Sequence, residues 1–115
     1  MKKKYDNPVS HSVSFLKSIR ITAKRKILFL PHALSQMSRP ERMISASEVR
    51  TVIEKGEIIE DYPEDKRGHS CLMLGKGINN RVVQVVCTPR EDYLAIITAY
   101  LPSKFEWKNH FRERK

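Results

Sequence analysis

Residues 56–102 read GEIIEDYPEDKRGHSCLMLGKGINNRVVQVVCTPREDYLAIITAYLP, and this stretch leaves few choices of architecture. Four short apolar runs, residues 57–62, 69–74, 81–87 and 93–101, are separated by clusters of turn-forming or charged residues. Runs rich in Val, Ile, Leu and Tyr, bounded by Pro, Gly and Asn, predict the strands of an antiparallel meander. The third run is apolar on both faces except at Gln84. That pattern predicts a central strand, covered by helices on one side and partly covered on the other. Gln84 is the polar core candidate, because a buried amide is costly to leave without hydrogen-bond partners.

Helices precede the meander. Asn7 and Pro8 pair an N-cap residue with proline at the first helical position. Val9, Val13, Leu16 and Ile19 then recur at helical spacing, with Lys17, Arg20 and Lys24 on another side. The result is an amphipathic helix with a basic stripe that suits phosphates, an anionic membrane, an acidic partner or plain solvent; residues 18–22 also alternate like a strand. Residues 27–30 form a short apolar run ended by Pro31, which predicts a strand at a sheet edge or beside the meander. Residues 32–37 read as a brief helix. A further helix is signalled by the capping box Ser45 and Glu48, the apolar face Ala46, Val49, Val52 and Ile53, and the stop at Gly56.

The expected fold class is α+β, with two or three helices packed on one face of a four- to five-stranded, mainly antiparallel sheet. Residues 1–25 form a basic extension carrying the amphipathic helix, 26–107 a single domain, and 108–115 a basic tail. The aromatic residues Phe105, Trp107 and Phe111 lie among cations there; they suit stacking on bases or docking back over the sheet, and docking is the commoner use.

Charge narrows the class of partner. The 115 residues carry a net charge of +9, with eight basic side chains and one acid in residues 1–31. Such an excess favours a polyanion: nucleic acid, with RNA or the ribosome among the candidates, an anionic membrane surface, or an acidic protein. Residues 57–65 are acidic; clustered carboxylates can bind metal, but the favoured reading is a solvated edge strand that resists aggregation. Cys71 and Cys87 on separate strands suit a disulfide or two reduced, buried thiols, and the reduced pair is the commoner reading. Lys17 and Arg20 interrupt any export signal, and no run approaches the ~20 apolar residues of a membrane span, so a cytoplasmic location is expected.

His11, His32, His69 and His110 are scattered without the spacing of metal ligands, and there is no P-loop, dinucleotide fingerprint or nucleophile elbow. No metal and no cofactor are expected. The polar side chains left are His32, Arg42, Tyr62, Arg67, His69, Gln84, Thr98 and Tyr100. Metal-independent RNA cleavage needs a base, cations for the phosphorane charge and an acid for the leaving oxygen. In that scheme His32 is base or acid, Arg42 and Arg67 hold phosphate, and Tyr100 positions or donates a proton. Lys17, Arg20, Lys24, Arg67 and His69 are the nucleic-acid-binding candidates. The plainer alternatives are a helix-start His32 bonded locally and a solvated Arg67 and His69.

Several blocks also resemble a known family: HALSQM at 32–37, RMIS at 42–45, GEIIEDYPED at 56–65, LMLG at 72–75, VVQVV at 82–86 and IITAYLP at 96–102, with Trp107. In order and spacing these residues resemble the uncharacterised bacterial family called domain of unknown function 4258, over about residues 27–107. That family looks related to the RelE and ParE type toxins of toxin–antitoxin systems. The resemblance implies a RelE-like fold, an RNA-cleaving or gyrase-directed activity, and a small acidic antitoxin-like partner. Matching polar positions are His32, Arg42, Tyr62 and Tyr100. Three departures stand out: Gln84 where His is expected, Gln36 where Arg is usual, and a two-residue insertion around Arg39 and Pro40. Three readings follow: a RelE-like endoribonuclease, a non-catalytic RNA- or protein-binding module of the same fold, and a structural or oligomerising protein.

Overall fold

A computed structural model of the chain describes the backbone of residues 8–115 and the side chains of residues 13–115. The basic tail 1–6, the Asn7 cap and the side chains of Val9 and His11 lie outside the described residues. In chain order the elements are α1 (Pro8–Arg25), β1 (Ile27–Phe29), α2 (Pro31–Met37), α3 (Ala46–Lys55), β2 (Glu57–Tyr62), β3 (Ser70–Lys76), β4 (Val82–Pro89), β5 (Leu94–Tyr100), β6 (Trp107–Lys108) and β7 (Glu113–Arg114). Strands β1 to β5 form one sheet in the order β1-β5-β4-β3-β2, so β4 takes the central place that its two apolar faces require. Among the described residues only β1 and β5 pair in parallel.

One face of the sheet carries the helices. Met73, Val83, Val85, Leu94 and Ile96 are fully buried there against Ile19 of α1, Ala33 of α2 and Val49, Val52 and Ile53 of α3. Each such aliphatic side chain contributes roughly 1.5–3 kcal/mol of transfer free energy on burial. Helix α1, set apart by its charge in the sequence, thus shares this core. Its strand-like stretch 18–22 is helical, and the helix continues to Arg25. Its buried stripe is rotated from the expected one: Val13 is 58% exposed, while Phe15, Leu16, Ile19 and Ala23 pack inward.

The helix ends follow the sequence closely. Ser45 caps α3 reciprocally with Glu48, and Gly56 closes it. A Cβ at Gly56 would lie 2.5 Å from the carbonyl oxygens of both Val52 and Leu74, so only glycine lets α3 turn directly into β2.

The other sheet face is also covered. After Pro102 the chain folds back, and β6 and β7 pair as a small hairpin. Trp107 is buried, and the buried Gln84 of β4 donates from Nε2 to the carbonyl of Phe111 at 2.9 Å. The aromatic and basic tail therefore docks over the sheet, as its apolar residues favour.

A candidate nucleic-acid interface

The docked hairpin builds a cleft. Its floor is Leu74, Gly75 and Val82; one wall is the C-terminal end of α3 with Thr51, Lys55 and Glu57, and the other is the hairpin turn with His110, Phe111 and Arg112. Lys76 and Asn80 complete the rim, and the volume is about 740 Å³. The lining holds three permanent cations, Lys55, Lys76 and Arg112, against one carboxylate, Glu57. Arg112 Nη2 meets Glu57 Oε1 at 2.5 Å, which pins the hairpin to the start of β2.

The hairpin turn is held in an unusual backbone conformation. Asn109, His110 and Phe111 have φ of 54°, 55° and 67°, three left-handed residues in succession. Asn tolerates this region, but for His and Phe it costs roughly 1–2 kcal/mol each. The Gln84 amide and the Arg112–Glu57 pair hold the turn in place against that strain.

Beside the cleft the hairpin face carries a second polar cluster. Arg114 spans Glu60, with Nε at 2.9 Å from Oε2 and Nη2 at 3.1 Å from Oε1, and lies 4.7 Å over the Trp107 ring. The Tyr62 hydroxyl donates to Glu60, and burial followed by that carboxylate pushes its pKa up to about 12. Tyr100 is half-buried in the same field, and its hydroxyl is also shifted upward, chiefly by burial. Both phenols are therefore proton donors near neutral pH and are unsuited to act as bases. Gln84 is fully buried, and its Oε1 has no hydrogen-bond partner among the described residues.

The residues singled out by sequence do not converge on one surface. His32 is exposed on α2, among the helices. Arg42 donates from Nη1 to Gln36 Oε1 at 3.3 Å beyond the end of α2, whereas Tyr100 faces Arg114 across the sheet. Arg67 closes the β2–β3 turn on Asp65, at 2.8 Å and 3.0 Å, and this pairing holds the Asp65 carboxyl well below its usual range. His69 stands 2.6 Å from Asp61 and stacks on Phe15 of α1 at 3.6 Å between ring centres, which fastens the helix to the sheet edge. Arg20 donates to the carbonyls of Ile53 and Gly56 at 2.9 Å and 3.0 Å, and so satisfies the open end of α3. Lys17 and Lys24 remain solvent-exposed. The acidic stretch 57–65 is partly consumed in pairs with Arg112, Arg114, Arg67 and His69.

Sequence reasoning missed Lys55, Lys76, His110 and Arg112, the cations and imidazole of the cleft. The signal present in the sequence was the aromatic and basic tail itself, since a segment that docks must bring its cations with it. Among the described residues no cluster of three His, Cys, Asp or Glu side chains is placed to hold a metal ion, and no helix is long and apolar enough to cross a membrane.

A family model described as a domain of unknown function (DUF4258) matches residues 29–101, from β1 through β5. No curated protein and no solved structure gave a significant match.

Proposed function

The chain belongs to the family described as a domain of unknown function (DUF4258), and from that premise we propose that it is an RNA-binding module that takes single-stranded RNA along the cleft between α3 and the C-terminal hairpin. The lining of the cleft carries this reading: three cations against one carboxylate, with Phe111 among the residues that line it. Phosphates supply salt-dependent affinity at such a surface, and an aromatic ring supplies sequence-tolerant stacking. The resemblance to RelE type toxins points to RNA, free or ribosomal, as the polyanion. Lys17 and Lys24 add positive field from α1.

Binding is favoured over strand cleavage on geometric grounds. Cleavage needs base, cation and acid within hydrogen-bond reach of one phosphate. His32 and Arg42 both sit about α2, Arg42 through Gln36 one turn on from His32, whereas Tyr100 lies beside Arg114 of the hairpin, away from them. The test is fluorescence anisotropy with a labelled single-stranded RNA at several salt concentrations. Affinity falls with salt, and Lys55→Ala with Lys76→Ala lowers the slope of log K on log salt by about 1.4. An unchanged slope overturns the cleft as the binding surface, and shortened RNA on a gel overturns the non-catalytic reading.

A second reading, an acidic protein partner of the antitoxin kind, is favoured by a smaller groove of about 360 Å³ between α1 and α3. Arg20, Lys24 and Arg50, against the one carboxylate Glu54, rim an apolar floor of Ala23, Ile27 and Ile53. Lys24→Glu with Arg50→Glu abolishes capture of such a partner on this reading, and leaves RNA binding in the cleft in place.

A further inference from the structure

We propose that the cleft is an end-recognition site, holding a nucleotide that carries a terminal phosphomonoester. The inference rests on the RNA-binding reading and adds which part of the strand the cleft takes. Size comes first: about 740 Å³ lies well within the roughly 300–1,000 Å³ of sites that enclose a whole small ligand.

Charge comes second. Arg112 is already matched by Glu57. Lys55 and Lys76 sit at the end of α3 and the end of β3, and neither carries an ion pair among the described residues. An internal phosphodiester carries a single negative charge, whereas a phosphomonoester carries about −1.5 to −2 near pH 7. The two uncommitted ammonium groups balance the monoester. Lysine suits this role, being a compact charge with three donors on a flexible stem.

The wall for the base is set in advance. Phe111 is anchored through its own carbonyl to the fully buried Gln84, and it lines the cleft with a left-handed backbone. A base beside Phe111 meets the apolar floor of Leu74 and Val82, while Lys55 and Lys76 meet its phosphate.

The test compares one short RNA sequence in three forms, with a 5′-phosphate, with a 3′-phosphate and with hydroxyl ends, and uses adenosine monophosphate as a competitor. One phosphorylated form binds at least about fivefold more tightly than the hydroxyl form, the factor a single exposed charge pair supplies at its upper limit. Adenosine monophosphate displaces it. In Lys55→Ala with Lys76→Ala that advantage disappears, whereas Lys17→Ala with Lys24→Ala weakens all three forms and keeps the ratio. Equal affinity for the three forms, with salt-dependent RNA binding intact, overturns end recognition and leaves the RNA reading standing. No salt-dependent binding of any form overturns both.

Discussion

Arg81 grips Glu48 with two nitrogens of its guanidinium, Nη2 at 2.7 Å from Oε1 and Nε at 2.8 Å from Oε2. The carboxylate also accepts from the amides of Ser45 and Ile78, so one buried side chain ties the start of α3 to the β3–β4 connection. Arg81 in turn donates to the carbonyls of Arg42 and Met43. Arg81→Ala strands the Glu48 charge with two amides, and we expect a loss of about 3 kcal/mol, the lower end for breaking a buried pair. Urea unfolding measures it. Arg81→Lys recovers only part, because an ammonium cannot reproduce the fork.

The same pair sets an acid limit. The Arg81 guanidinium holds the Glu48 carboxyl at about 2, below its ordinary 4.5. A depressed folded-state pKa gives stability that is complete above the unfolded value and fades as pH falls from about 5 towards 2. The contribution at neutral pH is on the order of 3 kcal/mol, from about 1.4 kcal/mol per unit. Urea midpoints measured down that range drop in the wild-type chain and flatten in Glu48→Gln.

Cys71 and Cys87 stand opposite each other on β3 and β4, both fully buried. A hydrogen bond shared with Cys71, and then burial, raise the Cys87 thiol well above its ordinary pKa. Since both sulfurs are out of reach of solvent, neither thiol reacts quickly with a disulfide reagent in the folded protein, and both react once it unfolds in denaturant. Rapid labelling of either one in native buffer contradicts this packing.

The turn at 109–111 couples strain to binding. His110→Gly relieves a left-handed φ of 55° and should raise stability by up to about 1 kcal/mol. The same change removes an imidazole from the cleft wall, so RNA affinity falls. Opposite signs in a urea titration and an anisotropy titration mark the strain as serving the site.

Much of this fold is legible in the sequence, and for physical reasons. Turn residues punctuate β2 to β5, Gln84 betrays a central strand, and Ser45 with Glu48 writes the capping box of α3. The side of α1 that packs is less legible, since Val9, Val13, Leu16 and Ile19 fit the helical period as well as Phe15, Leu16, Ile19 and Ala23; only contact with the sheet chooses between them. Strands β6 and β7 have two residues each, too few for any periodicity. The cleft is least legible. Lys55, Lys76 and Arg112 are far apart in sequence, and a sheet register together with a docked hairpin brings them to one rim. Arg20, Arg67 and His69 have partners within the fold, and a cation read along the chain shows nothing of the carbonyl or carboxylate that waits for it.

The most direct measurement of the central claim is a map of backbone amide chemical shifts as a short single-stranded RNA is added. The account predicts shifts concentrated at Thr51, Lys55, Gly75, Lys76, Asn80 and residues 110–112, the rim of the cleft. Shifts confined to α1 and α2, with these amides unmoved, would contradict it.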